Sequence, residues 1–341
     1  MMMKHKHILL FNSINNRYIK YTYNFGSTDG VELKICKNGF QITAELTKIY
    51  DKDEMLSGNT YLFPDAIRKA LLIYLLSYSK GLIIKSITCK IDDEEDATVF
   101  DNEPKPPLYS MINGDLVRDL PETFTNEPVI EYLLNTPKSK YDRRIASLFA
   151  LLTSKSKAFE TERFIYLWTS FNGIYSWLSR YIAKANGTDR YRKENKQILG
   201  FQKFLSIGSE IIVEDDKTRI ANSVIPILKN YSVSDANRSF FVQEDISKSI
   251  ENKLQKEDGS IYNLSAYGYL LTQLSYYFRC KIVHGSKPML LFAYADDSEL
   301  HCLQILNELL EKFIDEYLPK CFDNEYINNT LIPIVRTITL K

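Results

Sequence analysis

The sequence has few cysteines, few histidines, no long apolar run near its start and no excess of either charge, and each shortage removes a class of protein. Its five cysteines, Cys36, Cys89, Cys280, Cys302 and Cys321, are odd in number and far apart, with no Cys-x-x-Cys pair. That argues against a disulfide framework or a cysteine zinc site and fits a reducing compartment. Of the four histidines, His5 and His7 fall in a stretch expected to be flexible, and His301 has no second ligand pair nearby, so no metal site is expected. The apolar run Ile8 to Phe11 is far shorter than a signal-peptide core or a spanning helix, which gives an expectation of a cytoplasmic protein without membrane contact. Neither a Gly-rich phosphate loop nor a Gly-x-Ser-x-Gly elbow occurs, and no cofactor is expected. The 43 Lys and Arg balance 43 Asp and Glu, so no global field draws the molecule to nucleic acid and any such site must be local.

What is present describes a folded chain. Its 341 residues suit two domains, because single cores stop growing economically at a few hundred residues. Hydrophobic residues make up 45% and charged residues 25%, close to globular averages, which excludes bulk disorder. The 23 Tyr and 18 Phe supply the large side chains that dominate cores and interfaces.

Residues 1–100 read as an α+β domain with a sensing or regulatory role. Arg17 to Phe25, and Val31 to Leu46 broken at Lys37-Asn38-Gly39, are rich in β-branched and aromatic residues, which predicts strands and a hairpin. Pro64 then opens an apolar run with Ile67, Leu71, Tyr74, Leu75 and Tyr78 at helical spacing, closed by Gly81. Leu82 to Ile91 returns to a strand pattern, and the acidic block Asp92 to Asp96 reads as a solvated loop. Six of the eleven prolines lie between Pro104 and Pro137, so 101–138 reads as a linker or wrapping arm.

From 139 to 320 the period is 3.6 and an all-α bundle is expected. Ile145, Leu148, Phe149 and Leu152 mark one apolar face; Phe164, Leu167, Trp168, Phe171, Ile174, Tyr175, Leu178 and Ile182 mark a longer one. Shorter stripes predict helices at 191–205, 217–229 and 238–254. Tyr267, Leu270, Leu271, Leu274 and Phe278 mark a helix ending near His284-Gly285. A last helix opens at Asp296-x-x-Glu299 and carries Leu303, Leu306, Leu310, Phe313 and Tyr317 up to Pro319, leaving 321–341 as a tail.

The chemistry concentrates in Phe278 to Pro288, FRCKIVHGSKP, where four residues separate Arg279 from His284. A guanidinium is a permanent cation shaped for phosphate oxygens, and an imidazole exchanges protons near neutral pH. Together they suffice for RNA transesterification, with the ribose 2′-hydroxyl attacking the adjacent phosphate and no metal required. Two cations at a helix end also suit a purely structural role against the helix dipole.

RCKIVHG resembles the Arg-x4-6-His signature of the HEPN superfamily, in particular the Apea-like HEPN proteins, and RFIYLWTSFNGIYSW (Arg163 to Trp177) is similar to their earlier aromatic helix. The resemblance covers roughly Ser139 to Pro319. It implies an HEPN-type bundle that pairs with a second copy, so that two Arg-His motifs face each other across one RNase cleft. His284 would be the general base or acid and Arg279 the phosphate clamp. It further implies a toxin or antiviral defence effector acting on RNA, tRNA included, with a trigger or antitoxin protein as a further partner. Cys280 stands where active members carry a polar residue, and Asn172 stands where an acidic residue is common; both are assigned supporting roles. A catalytically inactive HEPN module that binds RNA, a nucleotide or a protein is the alternative.

Between Lys138 and Lys203 there are fourteen Lys and Arg against five Asp and Glu. Arg143, Arg144, Lys155, Lys157, Arg190, Arg192, Lys193 and Lys196, together with Lys281, are therefore the candidate RNA-backbone contacts, and Tyr191 a candidate base-stacking residue.

Overall fold

The computed structural model describes residues 3–13, 23–24, 31–36, 39–57, 62–78, 84–99, 127–136, 140–155, 157–185, 187, eight positions between 271 and 282, and 297–337. The chain divides into two compact units, Met1–Tyr141 and Asp142–Lys341.

In the first unit β1 (His5–Ser13), β2 (Tyr23–Asn24), β3 (Glu32–Cys36), β4 (Gly39–Leu46), β5 (Ile84–Ile91) and β6 (Glu94–Val99) form one antiparallel sheet in the order β2-β3-β4-β1-β5-β6. Its register is set by alternation: His7, Leu9 and Phe11 of β1 are buried, and their partners Ala44, Ile42 and Phe40 on β4 are buried with them. Shifting either strand by one residue would turn that set to the opposite face. The Phe11 and Phe40 rings stack at 4.3 Å across the strands. The helix α1 (Lys52–Ser57) precedes α2 (Leu62–Tyr78), which lies against β3 and β4 and buries Phe63, Ile67, Ala70, Ile73 and Leu76. The expected sheet with a helix packed on it is therefore present.

Three local expectations are corrected. The stretch holding His5 and His7 is the inner strand β1, because His7 shares the side-chain parity of Leu9 and Phe11 and is itself wholly buried. The acidic block is a hairpin, not a loop: Asp92 adopts φ 52, a conformation Asp tolerates better than most residues, and β6 begins at Glu94. Three hydrogen bonds hold that turn to β1: the Asp92 amide donates to the Lys6 carbonyl, the Lys6 amide donates to Asp92 Oδ1, and His5 Nδ1 meets Asp92 Oδ2, each at 2.8 Å. Within the proline-rich stretch, α3 (Glu127–Asn135) is an amphipathic helix with Val129, Ile130, Leu133 and Leu134 buried and Pro128 accommodated in its first turn. The rest of Arg17 to Phe25 and of 101–138 lies outside the described residues.

The second unit is built from α4 (Arg143–Ser154), α5 (Glu160–Ala185), helical backbone at the described positions of 271–282, and α6 (Asp297–Lys320). Asp142 caps α4, its side chain accepting from the Arg144 amide at 2.9 Å. The crossing of α4 and α5 is made by small residues: Ser170 Oγ donates to the Ser147 carbonyl at 2.8 Å, and Gly173 leaves no room for a side chain beside Ser147. The aromatic stripe of α5 is buried as expected, with Phe171 edge-on to Phe313 of α6 at 5.7 Å and Phe164 tilted against Phe278 at 6.1 Å. Phe149 departs from its predicted face and is 40% exposed, whereas Leu151 takes a core position.

The stretch after Lys320 is not a tail. Asp323 caps α7 (Asn324–Tyr326), a π-helical turn follows at Ile327–Leu331, and α8 (Ile332–Thr337) continues it. Cys321, Phe322, Ile327 and Leu331 are buried, so this end of the chain adds core to the helical unit. The expected helices at 191–205, 217–229 and 238–254 lie outside the described residues.

Candidate functional site

Arg279 sits on the helical segment whose apolar stripe, Leu271, Leu274, Phe278 and Ile282, is buried at spacings of three and four residues. Phe278 anchors this stripe to Phe164 of α5, which leaves the neighbouring Arg279 half-buried, with its guanidinium 5.9 Å from the centre of the Tyr276 ring. A cation over an aromatic face keeps its charge, and the ring limits where the head group can point. His284, Cys280 and Lys281 lie outside the described residues, so the described geometry covers the arginine half of the motif. Asn172 is part-exposed on α5 and accepts a hydrogen bond from Ser176 Oγ of the same helix at 3.0 Å.

The candidate RNA contacts separate sharply. Arg143 is exposed at the start of α4. Lys157 is part-exposed, 5.3 Å from the Tyr166 ring centre. Arg144, by contrast, is a clamp inside the unit: it pairs with Asp142 at 2.7 Å, donates to the Cys321 carbonyl, and lies 4.7 Å from the Trp177 ring and 4.9 Å from that of Phe322. Lys155 is buried, and its ammonium reaches Glu311 at 2.7 Å and Asp315 at 2.9 Å. Neither side chain is presented to a phosphate backbone; a local charge excess ranks them as surface cations, but partners distant in sequence take them inward. Arg190, Tyr191, Arg192, Lys193 and Lys196 lie outside the described residues.

A dense collection of charge in the helical unit has no counterpart in the sequence expectations. Around Lys155, Arg163 of α5 bonds Glu311 and stands 3.5 Å from Glu160, while Asn307 Nδ2 donates to the Glu160 carbonyl at 2.8 Å and to its carboxylate at 2.7 Å. Burial pushes Asp315 up to about 6, against the pull of Lys155. Burial works in the same direction on Glu311, but Lys155 and Arg163 outweigh it and hold that carboxyl below its usual range. Asn307, Glu311 and Asp315 recur every four residues on α6, a spacing that places them on one side of the helix and was the signal a sequence reader could have used.

His7 is the other buried titratable group. The Tyr50 amide can only donate, and does so to Nε2 at 3.0 Å; the His5 carbonyl can only accept, and does so from Nδ1 at 3.1 Å. This pairing requires the neutral tautomer protonated at Nδ1, and burial correspondingly lowers the imidazole pKa from 6.5. A group whose folded pKa is depressed stabilises the fold above its unfolded value and loses that contribution as pH falls through the folded one. Denaturation of the first unit is therefore expected to become easier as pH drops below about 6.5, and His7→Phe should flatten that dependence. An unchanged slope in hydrogen exchange of β1 peptides would remove the assignment.

Among the described residues, no group of three or more His, Cys, Asp or Glu is placed to hold a metal ion, and no helix is long and apolar enough to cross a membrane. No known protein family, curated protein or solved structure matches this chain.

Proposed function

We propose that the helical unit is an HEPN-type domain and that the protein is a metal-independent endoribonuclease acting through Arg279 and His284. The observation that carries this reading is the RCKIVHG stretch, whose Arg279 lies half-buried beside Tyr276 on a helical segment with its apolar face in the core. In the reaction, His284 takes the proton from the ribose 2′-hydroxyl, whose oxygen attacks phosphorus. The bond to the 5′-oxygen breaks, and that oxygen is protonated as it leaves, by the corresponding imidazole of a second copy in a homodimer. Arg279 neutralises the charge gathering on the non-bridging oxygens. The products are a 2′,3′-cyclic phosphate and a free 5′-hydroxyl.

RNA recognition is assigned to Arg143, exposed at the start of α4, and, from the local charge excess of the sequence, to Lys157, Arg192 and Lys193. The biological setting proposed is a cytoplasmic toxin or antiviral effector, with the sheet-bearing unit receiving the trigger or antitoxin.

The test is cleavage of total RNA and tRNA in EDTA by wild type, His284→Ala and Arg279→Ala, with mapped product ends. Wild-type cleavage with cyclic-phosphate ends and a loss of at least about a hundredfold in each variant is the expected result. Cleavage that persists in His284→Ala would overturn the mechanism. Cys280, where a polar residue is usual, favours a second reading, a binding module without catalysis. That module predicts salt-sensitive RNA binding which survives His284→Ala and weakens on removing Arg192 and Lys193.

A further inference from the structure

We propose that the Lys155–Glu311–Asp315 cluster is a proton-operated latch of the helical unit, in which uptake of one proton at Asp315 tightens the packing of α4 against α6 and its release loosens it. The inference is independent of the nuclease reading and uses none of its catalytic residues.

The geometry makes Asp315 the receiving group. One oxygen, Oδ2, is engaged by Lys155 at 2.9 Å, while Oδ1 is fully buried and has no hydrogen-bond partner. A buried carboxylate oxygen that accepts nothing is costly while the group is charged and far less so once it is neutral. A proton can therefore settle on Oδ1 without disturbing the lysine. The charges facing it, among the described residues, are Lys155 at the end of α4, Arg163 and Glu160 at the start of α5, and Glu311 beside it on α6, with Glu308 near Arg163. Two cations, Lys155 and Arg163, thus face a larger number of carboxylates, and neutralising Asp315 reduces that excess.

Glu311 is not the group that takes the proton, because both its oxygens are engaged, one by Lys155 and the other by Arg163. Burial pushes Asp315 up to about 6 from 3.8, in agreement with the geometry. For a carboxyl raised in the folded state, the stabilising contribution is complete below the unfolded value and is lost as pH rises through the folded one. The helical unit gains from this group on acidification, the reverse of the effect of His7 on the first unit. Glu311, held low, keeps its own contribution at every pH above its ordinary value of 4.5 and so does not enter above about pH 5.

The experiment is region-resolved hydrogen exchange of the full chain from about pH 7.5 to about pH 5, corrected for intrinsic chemistry, following peptides from 145–155 and 303–318. Opening of these peptides is expected to become about tenfold rarer in wild type over that range, from the displacement of one proton-binding equilibrium. In Asp315→Asn it should be independent of pH. Should the amide variant fail to fold, Asp315→Leu removes the carboxylate while leaving Lys155 paired to Glu311, and must show the same flat profile. A wild-type profile that is flat or steepens toward acid, or a variant that keeps the wild-type slope, overturns the proposal.

Discussion

Lys155→Met is expected to lower the stability of the helical unit by about 3 to 5 kcal/mol at neutral pH, the usual consequence of stripping the partner from a buried charge. The side chain is 5% exposed and holds two carboxylates at once, Glu311 at 2.7 Å and Asp315 at 2.9 Å. Without it, Arg163 is left to face Glu160, Glu311 and Asp315. Asp315, already raised to about 6, can answer by taking a proton. The loss should therefore be largest above neutrality and shrink as pH falls. Adding Asp315→Leu to Lys155→Met removes the stranded carboxylate and leaves Arg163 with Glu160 and Glu311. Such an exchange of a buried ion pair for apolar side chains is often close to neutral, and the double variant should recover most of the loss. Urea midpoints for the wild type, both single variants and the double variant measure the coupling. A surface role for Lys155 would instead give a change below about half a kcal/mol with no dependence on Asp315.

Gly39→Ala should cost about 4 kcal/mol, in the sheet-bearing unit. Gly39 opens β4 at φ 146, a backbone conformation L residues rarely adopt, and an added Cβ would stand 1.7 Å from the Phe11 carbonyl oxygen. The obstacle is backbone of the neighbouring inner strand, so no rotamer change relieves it. Strain at such a φ and overpacking contribute about 1 to 3 kcal/mol each. Relief requires β4 to move away from β1, which separates the Phe11 and Phe40 rings stacked at 4.3 Å and loosens the pairing of Asn12 with Gly39. Gly187 supplies the control: its φ is 60 and an added methyl would meet nothing within 4 Å, so Gly187→Ala should cost only about 1 to 2 kcal/mol, from backbone conformation alone. Urea midpoints read both variants, and comparable losses at the two glycines would show that the contact with Phe11 is not the cause.

Legibility followed the range of the interaction. The hairpin broken at Lys37-Asn38-Gly39, the long aromatic stripe of α5 and the five apolar markers of α6 were readable, because a strand or helix repeats its buried side at a short, fixed interval. The alternation of His7, Leu9 and Phe11 carries the same signal for β1, but the histidines and lysines around it give the stretch a polar composition that conceals the parity. The turn at Asp92 was hidden by its charge, since an acidic run says nothing about a backbone held by Lys6 some 86 residues away.

The arginine of the candidate site was legible as chemistry and as a helical position, and Phe278 beside it as core. The status of the other cations was not. Arg144 and Lys155 counted equally with Arg143 in a local charge excess, yet the first two are held inside and Arg143 is exposed. What the sequence determined by itself was the type and apolar face of the most strongly periodic elements and the presence of an Arg-x4-His stretch, all of which depend on residues a few positions apart. Tertiary structure decided which charges are buried, because a lysine leaves water only where carboxylates meet it, and those of Lys155 come from 156 and 160 residues further along the chain.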